Sequence, residues 1–85
     1  MNEGFTQQLL DLGFRLEYFE TYVMPIGANV FLSISSPDCD LRAMIYNTYT
    51  WNGEMHQNPA IVLHNEKQHG PLTIDRIKHF IALKN

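Results

Sequence analysis

The chain has 85 residues, of which 45% are hydrophobic and 18% charged, with a formal net charge of −3. That length holds one domain with a single small core, burying roughly 60–65% of the unfolded chain's surface, and excludes a deep enclosed active site. The charge lacks the basic stripe that displaces phosphate counterions and the dense acidity of a nucleic-acid mimic, so no direct nucleic-acid contact is expected.

Cys39 is the one cysteine, so no intramolecular disulfide forms. The opening Met1-Asn2-Glu3-Gly4 carries no basic, apolar leader, and no apolar run approaches membrane-spanning length. These features predict a cytoplasmic protein with no membrane contact. Acidic residues gather early, with Glu3, Asp11, Glu17, Glu20, Asp38 and Asp40 facing only Arg15 in residues 1–40. The remainder leans basic.

The first predicted element is a helix over residues 3–12. Phe5, Leu9 and Leu12 fall at i, i+4 and i+7 and form one apolar stripe. Asn2 is the expected N-cap, Glu3 suits the helix dipole, and Gly13 supplies the left-handed C-terminal cap, with Phe14 folding back toward Leu9. Residues 15–24 read as one strand whose two faces are reconciled by a bulge near Phe19-Glu20. Pro25 to Asn29 read as a turn, because proline cannot continue a central ladder.

Val30, Leu32 and Ile34 alternate with Phe31, Ser33 and Ser35, the period of a half-buried strand. Ser36-Pro37-Asp38-Cys39-Asp40 is turn chemistry, and a strand follows over 41–50. Asn52-Gly53 between β-prone residues marks a tight hairpin in which both turn positions take positive φ. The return strand begins at Glu54, is interrupted at Asn58-Pro59, and resumes over 60–64. Residues 65–71 read as a polar loop. Thr73 caps a final helix, with Leu72 and Ile77 in the positions of a hydrophobic staple and Ile74, Ile77, Phe80 and Ile81 on its apolar face. Lys84 suits the negative pole of that helix. The expected fold is α+β: an antiparallel meander of four to five strands in a single domain, 1–85, with an N-terminal and a C-terminal helix packed on one face.

No catalytic constellation is legible. His64 and His69, with Glu66, form the best metal candidate, yet their spacing matches no zinc motif, and histidines on the surface beside a loop are the simpler reading. Cys39 lies between Asp38 and Asp40, which raise a thiol's pKa and disfavour a reactive thiolate. No phosphate-cradling glycine loop is present, since Gly27, Gly53 and Gly70 stand alone. No catalytic, cofactor or metal residues are therefore assigned.

The aromatic stretch Tyr46-Asn47-Thr48-Tyr49-Thr50-Trp51 carries the strongest functional signal. Tyr46 and Tyr49 take opposite strand faces, and Trp51 stands at a hairpin tip where burial is difficult. Exposed Tyr and Trp bring large contact area at low entropic cost. The structural alternative folds Trp51 back over the sheet edge. The residues assigned to partner binding are Tyr46, Tyr49 and Trp51, with Glu17 and Glu20 as an acidic rim.

The layout resembles small helix–β-meander–helix accessory proteins of phages and mobile elements. The resemblance is carried by Leu9-Leu10-Asp11-Leu12-Gly13-Phe14 and by residues 72–81, Leu72-Thr73-Ile74-Asp75-Arg76-Ile77-Lys78-His79-Phe80-Ile81. These are signals of fold rather than of chemistry. The resemblance implies a non-enzymatic inhibitor of a host defence complex, anti-CRISPR-like, acting by stoichiometric binding to a protein partner such as a host nucleoprotein complex. The alternatives are a homodimeric accessory protein and a small histidine-based metal protein or enzyme using His64, His69 and Glu66.

Overall fold

The structure, a computed structural model, describes residues 3–36 and 40–83. Its elements run α1 (Glu3–Leu12), β1 (Arg15–Tyr18), β2 (Thr21–Gly27), β3 (Val30–Ser35), β4 (Arg42–Trp51), β5 (Glu54–Gln57), β6 (Ile61–Asn65), α2 (Glu66–His69) and α3 (Ile74–Ala82). The strands form one antiparallel sheet in the order β1-β2-β3-β4-β5, with β6 also paired to β4. This is an α+β meander with a helix at each end. Among the described residues no helix is long and apolar enough to cross a membrane.

Helix α1 stops where glycine permits it. Gly13 has φ 109°, its N–H donates to the Leu10 carbonyl at 3.0 Å, and the Phe14 N–H donates to the Leu9 carbonyl at 3.0 Å. Those two bonds make a Schellman cap, and they bring Phe14 and Leu9 together in the core. Thr73 caps α3, its Oγ1 accepting from the Arg76 N–H at 3.2 Å. Leu72 and Ile77 are both buried, as a hydrophobic staple requires.

Opposed residues in a ladder share a face of the sheet. Leu32 opposes Met24 and Ile45, while Ile34 opposes Tyr22 and Ala43. This face meets Leu9, Phe14, Leu72, Ile77 and Phe80, so α1 and α3 cover the same side. Each fully buried aliphatic side chain contributes about 1.5–3 kcal/mol by leaving water.

Three local expectations fail. The single strand over 15–24 is two strands, because Tyr18 pairs with Thr21 across a two-residue turn at Phe19-Glu20, and Glu20 takes φ 47°. The irregularity lies at Glu17, between the paired residues Leu16 and Tyr18. Pro25 and Gly27 belong to β2 rather than to a turn, the turn itself being Ala28-Asn29. The β1 ladder reaches only to Val23, so proline meets no strand on that side. Residues 66–69 form the short α2 instead of an open loop, because Asn65 Oδ1 accepts from the Gln68 N–H at 3.3 Å and Asp40 Oδ1 accepts from the Lys67 N–H at 3.1 Å.

The interruption at Asn58-Pro59 behaves as expected. β5 and β6 are two parts of one edge, both paired to β4, with Gln57 opposite Thr48 and Ile61 opposite Ile45. Asn58 anchors the break: its N–H donates to the Asn47 carbonyl at 3.0 Å and its Nδ2 donates to Asn47 Oδ1 at 2.9 Å. The expected cap Asn2, the candidate Cys39 with Asp38, and Lys84 lie outside the described residues.

Candidate functional site

The face of the sheet away from α1 and α3 carries a cleft. Residues from β1 and from the β5–β6 break line it together with the central strands, and its volume is about 400 Å³. Val23, Met44 and Ala60 supply its apolar surface, and Thr21, Ser33 and Gln57 its neutral polar groups. Glu17, Tyr18 and Tyr46 complete it. Thr21, Val23 and Ser33 are buried within it, on the face opposite the helix-covered core.

Tyr46 sits between two aromatic environments. Its ring stacks on Phe31 at 5.4 Å between centroids, with 21° between the planes. Burial first, and then the charge of Glu17 and the neighbouring Tyr18, push its phenol above the ordinary tyrosine range. It stays a neutral O–H group at physiological pH. Glu17 reaches the cleft from the β1 irregularity, the kind of ladder break that re-aims a side chain.

A second exposed feature is the β4–β5 hairpin. The β3 ladder ends at Val30 opposite Asn47 and the Thr48 N–H donates to the Asn29 carbonyl at 2.9 Å, so from Tyr49 onward the described part of β4 is paired with β5 alone. Asn52 and Gly53 take φ 53° and 76°, and Trp51 opposes Glu54, as the two-residue turn demands. Tyr49 stacks on His56 at 5.4 Å. Trp51 is 65% exposed, Met55 68% and Tyr49 46%, so Trp51 does not fold back into the sheet.

The five residues expected to bind a partner thus divide. Glu17 and Tyr46 meet in the cleft. Tyr49 and Trp51 stand together on the hairpin, with odd-numbered positions of β4 facing away from the cleft side. Glu20 lies at the β1–β2 turn beside the exposed Phe19. Sequence reading missed Tyr18, Ser33 and Gln57, which come from three different strands and meet only in the tertiary structure. It also missed Phe19, whose exposure follows from the tight turn hidden inside an apparent single strand.

The histidine candidates come close but are otherwise engaged. The His64 and His69 rings lie 5.2 Å apart. His64 is buried rather than on the surface, and its Nε2 donates to the Gly70 carbonyl at 2.8 Å. His69 Nδ1 accepts from the Asn65 N–H at 3.1 Å, and Glu66 Oε2 accepts from the Leu72 N–H at 2.7 Å. These side chains hold α2 and the lead-in to α3. Among the described residues no three His, Cys, Asp or Glu side chains are placed to hold a metal ion. Comparison of the chain with protein-family models, with curated proteins and with solved structures finds no match.

Proposed function

We propose that the chain is a non-enzymatic protein-binding module that presents its β4–β5 hairpin to a protein partner. The observation that carries this reading is the exposure of Trp51, Tyr49 and Met55 on a two-stranded arm outside the helix-covered core. Aromatic and Met side chains are enriched in the cores of interfaces, and a tryptophan there commonly dominates the binding energy. The resemblance in layout makes a stoichiometric inhibitor of a host complex the specific form of the proposal. The test is affinity capture with the full chain, comparing wild type with Trp51→Ala at matched stability. One partner should be captured stoichiometrically, and the variant should bind it about 2 kcal/mol or more weakly. Equal capture by a folded variant removes the hairpin from the interface.

A homodimer is favoured by a different observation. The edge strand β6 pairs only with β4, and Ile61 and Val62 on it are 65% and 47% exposed. Such an edge is a template for strand addition. On this reading, mass in solution rises to that of a dimer with concentration, and Val62→Lys returns the chain to a monomer. A wild-type chain that remains monomeric at high concentration excludes it.

A further inference from the structure

The cleft on the face away from the helices has a chemistry of its own, independent of the hairpin. Ser33 lies on β3 and is only 5% exposed, and its hydroxyl has no hydrogen bond to a described residue and stays open to the cleft. A hydroxyl that opens into the cleft without a protein partner is available to donate to or accept from a ligand bound there. Glu17 likewise has no hydrogen bond or ion pair to a described residue, although it lines the same space. Tyr46 and Gln57 add two further oxygens.

Among the described residues no Lys, Arg or His side chain lines the cleft. It therefore offers acceptors and one full negative charge, while Arg15, opposite Val23 in the ladder, lies on the same face outside the lining. An anion would meet Glu17 repulsion. A neutral apolar ligand would leave the Ser33 hydroxyl and the Glu17 carboxylate desolvated and unpaired. A cation rich in N–H donors satisfies both. Tyr18, 70% exposed at the rim, supplies an aromatic face on which such a cation packs. The volume, about 400 Å³, is at the small end of ligand sites and matches one side chain or a small amine rather than a folded surface.

We propose that this cleft is a recognition pocket for a guanidinium or ammonium group, with Glu17 as its charge partner, Ser33 and Tyr46 as hydrogen-bond acceptors and Tyr18 as its aromatic lid. The planar guanidinium fits best, since it presents five donors in a fixed fork and stacks on aromatic rings. The same chemistry serves an arginine side chain borne by a peptide and a free small amine.

The test is a ¹H–¹⁵N NMR titration of the full chain with N-acetyl-arginine N-methylamide and with its uncharged isostere, N-acetyl-citrulline N-methylamide. Saturable shifts centred on residues 17, 18, 33, 46 and 57 are expected with the arginine compound. Affinity should be at least about tenfold weaker for the citrulline compound, as loss of a charge-assisted hydrogen bond implies. Glu17→Gln should erase that preference, Tyr46→Phe should weaken binding of the arginine compound, and Trp51→Ala should leave its binding unchanged. The last variant separates this site from the hairpin surface. Agmatine and the peptide Gly-Gly-Arg-Gly-Gly, titrated in parallel, distinguish a free amine from a protein-borne side chain, and saturable cleft binding by either supports the pocket. Equal affinity for the citrulline compound, shifts that do not saturate, or undiminished arginine preference in a folded Glu17→Gln chain would overturn it.

Discussion

Asp40 is 1% exposed, and it joins parts of the chain far apart in sequence. Its Oδ2 accepts from Arg42 Nε at 3.0 Å and its Oδ1 from the Lys67 N–H at 3.1 Å. Burial pushes the carboxyl pKa up, but those two hydrogen bonds and the charges of Arg42 and Lys67 outweigh it and hold the group below its ordinary value. A depressed carboxylate contributes stability that is fully present above its unfolded pKa and is lost as pH falls through the folded one. Thermal melts of the wild type should therefore lose stability on acidification below about pH 4, the unperturbed range of Asp. Asp40→Asn should be less stable at neutral pH and should show a flatter acid limb. An unchanged acid limb in the variant would assign it to other carboxylates. Thr73 acts more locally. Thr73→Ala should destabilise the protein by about 1 kcal/mol in urea denaturation through loss of the α3 cap.

At the scale of elements, the β4–β5 hairpin is ordered by its turn rather than by the core. Gly53 has φ 76°, and an added Cβ there would meet nothing within 4 Å. Gly53→Ala is therefore sterically free, and its cost is backbone strain alone, about 1–2 kcal/mol for a left-handed conformation. A two-stranded arm is marginal by itself. Amide exchange in residues 49–56 should accelerate in this variant while the global melting temperature barely moves, because local opening need not involve the core. A large drop in global melting temperature would show that the hairpin is part of the cooperative unit. The Asn52-Gly53 turn was legible because both positions carry the residue types that tolerate positive φ. The Phe19-Glu20 turn was not, because neither residue signals a turn and Glu20 takes φ 47° within an otherwise β-prone run.

Across the whole molecule, one side of the sheet is a core under two helices and the other carries the cleft. Leu32 and Ile34 are fully buried beneath the helices. Leu32→Ala or Ile34→Ala should each cost about 2–5 kcal/mol in denaturant unfolding, the transfer term plus the cavity left behind. Trp51→Ala should shift the same transition by under about 0.5 kcal/mol, as for an exposed position outside the core. A comparable loss at Trp51 would place it in the fold rather than in an interface.

The α+β meander, the Schellman end at Gly13-Phe14, the cap and staple of α3 and the Asn-Gly hairpin are properties of the sequence itself. Each depends on residues within a few positions of one another, where periodicity and φ preference act directly. The exposure of Trp51 followed from the same logic, since a hairpin tip has little to fold against. Tertiary structure alone decided the cleft and the fates of Asp40 and His64. Glu17, Ser33, Tyr46 and Gln57 meet only through the pairing of four different strands, β1, β3, β4 and β5. Which strands pair, and in what register, is set by long-range contacts that leave no mark on any short stretch of sequence. Asp40 reads locally as a turn residue, and only its contact with Lys67, 27 positions away, makes it a buried organiser of the fold.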